Sequence, residues 1–366
     1  MRIGFIHNGD DIYCATRMMY FVKNGHEVFS FSFYSQHAQD LPPDINQIIL
    51  SYFPFKYYFF KRFIHLIEIY YLVHKYKLDI LHIVSMINGI YSICTNKAKV
   101  VLENMGSDVL ILPNIYPIYR HFYKIIYKFA HAVIQDSYVS QNAGILYGAS
   151  LINNKVIDVG VDLQSFSPKL KFGVVRNKLG ISDDEKMVLF TRGSGKIYNI
   201  DTIIQTIPIV KTHFANIKYV FCDMRGDFIS KYNSLIFKYM CIDNVFIAGN
   251  VNHFNHLPYY YRDADVVLSV PFSDSSPLSV YEAMACKTPV IISDLPWFKD
   301  KFKKDTDLMV VPVRNVKKLA NAIIKVLSGK SNVNVDSAYE KVFKNINYIT
   351  ENRKLEQLYI KILNDT

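Results

Sequence analysis

Cysteine is scarce and scattered in this chain: Cys14, Cys94, Cys222, Cys241 and Cys286, with no C-x-x-C pair and no His/Cys grouping at metal-ligand spacing. That excludes a disulfide framework and a zinc site of the finger or ribbon kind, and it fits a reducing compartment. Charge is modest at 20% of residues while half are hydrophobic, which excludes a disordered, self-repelling chain. Long apolar runs are missing too. The longest uncharged stretch near membrane-span length, 80–96, is broken by His82, Ser85, Asn88, Gly89 and Ser92, and reads as strand, turn and helix. The opening MRIGFIHNGDD turns polar after a short apolar run, without the charged start and cleavage site of a signal peptide. The expectation is a cytoplasmic protein without a transmembrane span.

What the chain has in excess is positive charge and aromatic rings. The formal charge of +10 calls for an anionic partner: nucleic acid, a bilayer surface or a phosphorylated substrate. The 27 Tyr and 25 Phe residues concentrate in the first part of the chain, where a coding bias towards Lys, Asn, Ile, Tyr and Phe would also produce them.

At 366 residues the chain exceeds one ordinary domain, and its pattern repeats twice. Short apolar runs at 3–6, 28–33, 80–84, 99–103, 132–136 and 155–160 alternate with helical periodicity, as over Thr16–Asn24 and Phe55–Lys77. The rhythm restarts after Pro168, with strands at 186–190, 218–222, 245–249, 265–270, 289–293 and 309–313. Helices fall between them at about Ile200–His213, Ser230–Met240, Asn255–Arg262, Ser279–Ala285 and Val316–Leu327. Buried strands alternating with helices predict two α/β, doubly wound, Rossmann-like domains facing a cleft. Their expected extents are 1–168 and 169–344, with a last helix over about 345–366 crossing back to the first domain.

One segment carries the chemistry. DADVVLSVPFSDSSPLSVYEAMACKTPVIISDLP (263–296) reads as strand, polar loop, helix and strand. The loop falls at the carboxyl end of a parallel strand, where open α/β sheets bind ligands. Ser275, Ser276 and the helix start at Pro277–Leu278 offer backbone N–H groups and a positive dipole end, which suit a phosphate. Asp274 lies on the loop and Glu282 one turn into the helix, so one carboxylate can face a sugar ring and the other a ribose.

This spacing, an acidic residue, seven residues, then Glu in EAMACKTPVI, resembles the signature of the retaining GT-B glycosyltransferases of family 4, also called group 1. Asp274 stands where Glu is usual and Lys287 where Gly is common. Other stretches fall in the family's order. GVDLQSFSP (160–168) is similar to its interdomain link, VLFTRGSGKIYNIDTII (188–204) to its stretch with an Arg and a nearby Lys, and VFIAGNVNHF (245–254) to its G-x-V loop. NGHEVFSFSF (24–33), ENMGSD (103–108) and HAVIQDSYVSQNA (131–143) have counterparts in the acceptor domain.

The resemblance implies a role for each matching residue. Arg192 and Lys196 would grip the donor diphosphate, Glu282 the ribose hydroxyls, Asp274 the transferred sugar, and backbone near Gly249–Val251 the base. Ser275, Ser276, Pro277 and Leu278 would line the phosphate. The donor would be a nucleotide sugar, UDP- or GDP-linked, with no metal or other cofactor. Many relatives carry a His near the position of Met105; Asp108 and Glu103 are the nearby polar substitutes here. Of the glycines often found in the first loop, His7–Asp10, only Gly9 remains, and an ordinary loop reading stands beside it. RGSGK is not a Walker loop, because Phe190 occupies the first glycine position.

Two stretches of the first domain, 53–77 and 114–132, interleave aromatics with Lys56, Lys61, Arg62, Lys75 and Lys77 and with further Lys and Arg. They read either as core helices with a basic outer face or as helices lying on an anionic membrane. The second reading suits a lipid-linked acceptor. The expectation is therefore a retaining glycosyltransferase acting on a glycan or lipid-linked acceptor in bacterial surface polysaccharide synthesis (capsule or lipopolysaccharide), peripheral to the membrane. Three rivals stand beside it: a sugar-nucleotide epimerase of the same fold, a basic nucleic-acid-binding protein, which no binding motif in the sequence supports, and a non-catalytic relative that binds nucleotide sugar as a structural partner.

Overall fold

The computed structural model describes residues 1–9, 12–33, 41, 43–51, 58–222 and 226–365. Asp10 of the first loop and Lys56 of the basic aromatic stretch lie outside them. The chain forms two compact units, Met1–Gly160 with Ile349–Thr366, and Val161–Tyr348.

The first unit is built on seven parallel strands: β1 (Arg2–His7), β2 (Glu27–Ser32), β3 (Asn46–Ile49), β4 (Ile80–Val84), β5 (Lys99–Glu103), β6 (Ala132–Gln135) and β7 (Asn154–Val156). Their order is β3-β2-β1-β4-β5-β6-β7, so the direction of winding reverses between β1 and β4. The five inner strands are buried nearly throughout, as strands covered by helices on both faces must be. Edge strand β3 was not expected. It carries Asn46 and Gln47 and is largely exposed, so it has no apolar run to announce it.

The second unit repeats the plan with six strands: β8 (Met187–Phe190), β9 (Lys218–Phe221), β10 (Val245–Ile247), β11 (Val266–Ser269), β12 (Val290–Ser293) and β13 (Met309–Val311). The order β10-β9-β8-β11-β12-β13 reverses between β8 and β11. Its core joins Val188, Phe190, Tyr219, Phe221, Val266 and Leu268 to Ile203, Ile207, Ile323 and Val326 of flanking helices. Full burial of each such side chain contributes about 1.5–3 kcal/mol. Two Rossmann-like, doubly wound units are thus present, as the alternating pattern predicts.

The division between the units falls at Gly160 rather than Pro168, because Phe166 packs its ring on His253 and Tyr261 of the second unit. The last helix, Tyr348–Asn364, returns to the first unit. Asn352 donates to the Val159 carbonyl at 3.1 Å, Tyr359 stacks on Phe21 and is hydrogen-bonded to His82, and Glu356 accepts from Tyr20 at 2.9 Å. A separate helix, Val335–Asn345, precedes it, capped by the Asn334 side chain accepting from the Ser337 amide at 2.9 Å.

Candidate active site

In the second unit Arg192, Asp274 and Glu282, of the residues singled out by sequence, gather where β8 and β11 part. At such a switch point the loops leave to opposite faces and open a crevice at the strand ends. Thr191 and Arg192 follow β8, Asp274 follows β11, and the helix Leu278–Ala285 begins just beyond. Arg192 donates to Asp274 Oδ2 at 2.9 Å and reaches Ser279 Oγ at 3.4 Å and Ser269 Oγ at 3.5 Å. Its guanidinium lies over the Tyr198 ring, 4.9 Å from the centroid. The ion pair is largely sheltered, with 15% and 11% of the two side chains exposed, so it is screened less than a surface pair.

Glu282 lies one turn into that helix and is 2% exposed. Tyr261 donates to its Oε2 at 2.9 Å, and Thr191 Oγ1 stands 2.8 Å from the same Tyr261 hydroxyl. With the tyrosine proton committed to Glu282, Thr191 donates to Tyr261. Burial, then the charge of Glu282, raises the Tyr261 hydroxyl well above its ordinary range and keeps it a donor. Glu282 Oε1 lies 3.0 Å from His253 Nε2 but lacks hydrogen-bond alignment, so this buried oxygen retains capacity for another donor. Sequence reasoning missed Thr191, Tyr261 and His253. Their only signal was a position after β8, ahead of β11 or after β10.

The polar loop is more constrained than its sequence suggests. The Ser275 amide donates to its neighbour Asp274 Oδ1 at 3.0 Å. Ser276 Oγ, 2.8 Å from the Tyr281 hydroxyl, accepts from Lys301 Nζ at 3.1 Å. Pro277 caps the helix in an extended conformation and Leu278 opens it. Gly249 has φ 69°, a left-handed conformation that glycine adopts without strain, and no atom lies within 4 Å of where a Cβ would stand. Lys196 goes elsewhere. It opens a short 3₁₀ turn and lines a cavity of about 410 Å³ with Ser194, Asn199, Asp201, Lys231 and Arg314, a set that includes neither Arg192, Asp274 nor Glu282.

The polar residues of the first unit are largely spoken for. Asp108 is buried and accepts from the Met86 amide at 2.7 Å and the Met105 amide at 3.0 Å, tying the loop after β4 to the loop after β5. Burial pushes its carboxyl up to about 6 against the pull of those amides. Glu103 is a structural anchor. Arg17 donates to it through Nε and Nη2 at 2.7–3.0 Å, and His82 Nε2 lies 2.8 Å away. Burial alone would raise Glu103, but Arg17 and His82 outweigh it and hold the carboxyl at about 2. Gly9, at φ 103°, donates its amide to His7 Nδ1 at 3.2 Å, which leaves Nε2 to donate to Ser30 Oγ at 2.8 Å. Burial lowers His7 to about 4, so it is neutral at physiological pH. Among the described residues no group of three or more His, Cys, Asp or Glu side chains could hold a metal ion.

The sequence pattern of the glycosyl transferases group 1 family matches residues 172–343, and that of the glycosyl transferase 4-like family matches residues 2–137. Between them the two glycosyl transferase patterns match most of the chain, the group 1 pattern its second part and the 4-like pattern its first. An uncharacterized glycosyltransferase of Methanocaldococcus jannaschii is 29% identical over 45% of this chain and 40% of its own. The alpha-monoglucosyldiacylglycerol synthase of Streptococcus pneumoniae is 25% identical over 53% of this chain and 44% of its own. The matches thus span about two fifths of the length of these curated relatives. Among solved structures, Anabaena HepE in complex with UDP-glucose superimposes with a TM-score of 0.81 at 15% identity, over 99% of this chain and 100% of that one. At that identity the likeness is one of fold, here the GT-B fold with its pair of Rossmann-like units.

Proposed function

We propose that this protein moves a sugar from a nucleotide-sugar donor to a glycan or lipid-linked acceptor, with retention of anomeric configuration. The observation that carries the reading is the Arg192–Asp274–Ser279 contact at the switch point of the second sheet, joined through Thr191 and Tyr261 to a buried Glu282 oxygen with capacity to spare.

In this reading Arg192 meets the donor diphosphate, while Lys196, which lines another cavity, takes no part in that grip. Cationic groups aimed at the leaving diphosphate stabilise the charge that develops on it, and they do so without a metal ion. Glu282 accepts from a ribose hydroxyl, a donor that suits Oε1. Asp274 faces the transferred sugar, the loop at Gly249 approaches the base, and Ser275 to Leu278 line the phosphate. The acceptor hydroxyl attacks the anomeric carbon on the face the diphosphate leaves. The carbon–oxygen bond to phosphate breaks as the new one forms, and a departing phosphate oxygen takes the hydroxyl proton. UDP is the nucleotide of first choice, since the Anabaena neighbour was solved with UDP-glucose, and GDP is the second.

The setting proposed is surface polysaccharide or glycolipid synthesis at the inner face of the cytoplasmic membrane. A relative named for a monoglucosyldiacylglycerol product supports a lipid-linked acceptor. The helix Tyr58–Lys75 adds to this. It buries His65, Ile69, Leu72 and Val73 and exposes Phe63, Ile67, Tyr70 and Tyr71 on another face. Such a stripe on a basic protein suits the interface of an anionic bilayer. No helix among the described residues is long and apolar enough to cross a membrane.

The deciding experiment is a panel of nucleotide sugars screened for thermal stabilisation, since a ligand that binds the native state raises its stability. Glu282→Ala is the control, and the anomeric proton of the product is read by NMR. Stabilisation by one donor that Glu282→Ala abolishes, with a product of the donor's anomeric configuration, is expected. Folded protein stabilised by no nucleotide or nucleotide sugar would refute the donor site, and an isomerised sugar released with UDP in the absence of acceptor would make the protein an epimerase.

A further inference from the structure

Glu282 is met from two points of one connection. Between β10 and β11 the chain makes a turn over 253–256 and then the helix Leu257–Asp263. Tyr261 of that helix donates to Oε2 at 2.9 Å, while His253 of the turn sets Nε2 3.0 Å from Oε1. Asn252 fixes the turn. Its Oδ1 accepts from the Asn255 amide at 2.8 Å, and its carbonyl accepts from the His256 and Leu257 amides at 3.1 and 2.9 Å. The imidazole is buried and packs on two rings, Phe166 at 5.5 Å between centroids and Phe254 edge-on at 5.0 Å. Phe166 also lies 5.8 Å from the Tyr261 ring, so one phenyl group braces both side chains that face Glu282.

A carboxylate offers about four acceptor sites, and burying one is unfavourable unless donors or an opposite charge compensate it. Glu282 is buried with one aligned donor, Tyr261, and among the described residues His253 is the basic side chain within ion-pair distance of it. The other titratable groups nearby bring no positive charge. Burial, then the charge of Glu282, raises the Tyr261 hydroxyl, and burial followed by the same charge pushes the Cys286 thiol up to about 12. Arg262, next to Tyr261, turns instead to the Leu170 carbonyl at 3.3 Å and lies over the Phe172 ring. His253 Nε2 stands at hydrogen-bond distance from Oε1 but off its direction, so a small rotation of the ring completes the bond.

We infer that His253 is a positioning residue of the donor site: its Nε2–H donates to Glu282 Oε1 and fixes that carboxylate for a ribose hydroxyl. Oε1 has two lone pairs, one for the imidazole and one for the ribose. His253 also follows Gly249–Val251 by two residues, so the loop set against the base and the carboxylate set against the ribose move as one part. This role rests on the donor reading and deepens it, because the nucleotide must bring a ribose hydroxyl. The donor class is then a ribonucleoside diphosphate sugar rather than its deoxyribose counterpart.

The test is calorimetric titration of the full-length protein with UDP, 2′-deoxy-UDP and 3′-deoxy-UDP, each variant first checked for native circular dichroism. The unaltered protein should bind UDP roughly tenfold or more tighter than at least one deoxy analogue, by the loss of a hydrogen bond to a charged group. His253→Phe and His253→Leu keep an apolar filler beside Phe166 and remove the donor, and whichever of them folds serves. In them UDP affinity should fall roughly tenfold and that of the discriminated analogue by less than about threefold, so the two ligands converge. His253→Gln sets an amide N–H near the place of Nε2 and should stay within about threefold of the unaltered protein on UDP. Unchanged UDP affinity in folded His253→Phe or His253→Leu overturns the role. Equal loss for UDP and both analogues also overturns it, since the histidine would then only pack the turn, as does equal binding of all three ligands by the unaltered protein. Glu282→Ala keeps the two readings apart. UDP binding that it leaves untouched refutes the donor site, whereas UDP binding lost in Glu282→Ala but kept in His253→Phe refutes His253 alone.

Discussion

Arg192 and Asp274, the two charged residues assigned to the donor, are paired with each other at 2.9 Å in this structure. A donor diphosphate must draw Arg192 from Asp274 or share it. The pair therefore holds the cation in place before binding and competes with the ligand for it. Arg192→Gln should weaken UDP binding roughly tenfold or more, by the loss of a charge-assisted hydrogen bond. Asp274→Asn should leave UDP affinity unchanged or tighten it, while turnover of the complete donor falls. Calorimetric titration with UDP, set beside steady-state rates, separates the two effects. UDP binding weakened equally by both substitutions would mean that Asp274 only orients Arg192.

Glu282 and Tyr261 form a second coupled pair, and the hydroxyl is the smaller partner to remove. Tyr261→Phe leaves the ring against Phe166 and deletes one hydrogen bond to a carboxylate. Because Glu282 and Thr191 both lose a buried partner, stability should fall by about 1–3 kcal/mol in a urea titration. Nucleotide affinity should fall less than in Glu282→Ala, which removes the proposed ribose acceptor itself. A Tyr261→Phe protein of unchanged stability would show that the pair is reorganised in solution.

The site was legible in the sequence where its residues are consecutive in one segment, and illegible where they come from several strand ends. Asp274, Glu282 and the helix start fall within one loop and helix, so their spacing could be read directly. Tyr261 and His253 reach Glu282 only because β8, β10 and β11 end on the same edge of the sheet, which no local pattern encodes. Lys196 shows the converse limit. Nearness to Arg192 in sequence suggested one cationic grip, yet the 3₁₀ turn at Lys196–Tyr198 directs the lysine to another cavity and sets Tyr198 beneath the guanidinium. Inner strands were legible for their continuous apolar runs, whereas edge strand β3, mostly exposed, had no such run.

The buried Arg17–Glu103–His82 cluster predicts an acid-sensitive first unit. Arg17 and Glu103 are nearly inaccessible to solvent, and Arg17 also donates to the Asn352 side chain of the last helix at 3.3 Å. Glu103 is held at about 2, below its ordinary value of 4.5. A depressed carboxylate stabilises the fold above the unfolded value, and that stability is lost as pH falls from about 4.5 through about 2. His82 acts with the same sign from higher pH, because burial lowers it and protonation on acidification opposes folding. Arg17→Met should cost about 3–5 kcal/mol near neutral pH by leaving Glu103 unpaired. That cost should shrink towards pH ~4, where the unpaired carboxyl takes up a proton. Urea denaturation across this range reads the slope; a cost independent of pH would mean that Glu103 carries no charge in the native protein.

The exposed stripe Phe63, Ile67, Tyr70 and Tyr71 gives the membrane proposal its sharpest test, because apolar and electrostatic contributions can be removed separately. Each of the four side chains is more than half exposed, and they recur at helical spacing on one face. On an anionic bilayer that face would enter the interface while the excess of lysine and arginine is drawn to the lipid charge. Ile67→Glu combined with Tyr71→Glu places carboxylates where the acyl boundary would be and leaves the buried face of the helix untouched. Sedimentation with vesicles containing anionic lipid should show binding by the unaltered protein and a loss of tenfold or more, by order of magnitude, in the double variant. Raising salt should weaken the unaltered protein's binding in part and leave the apolar remainder. If the double variant binds as well as the unaltered protein, the stripe does not face lipid, and the positive charge alone would account for any attraction to the membrane.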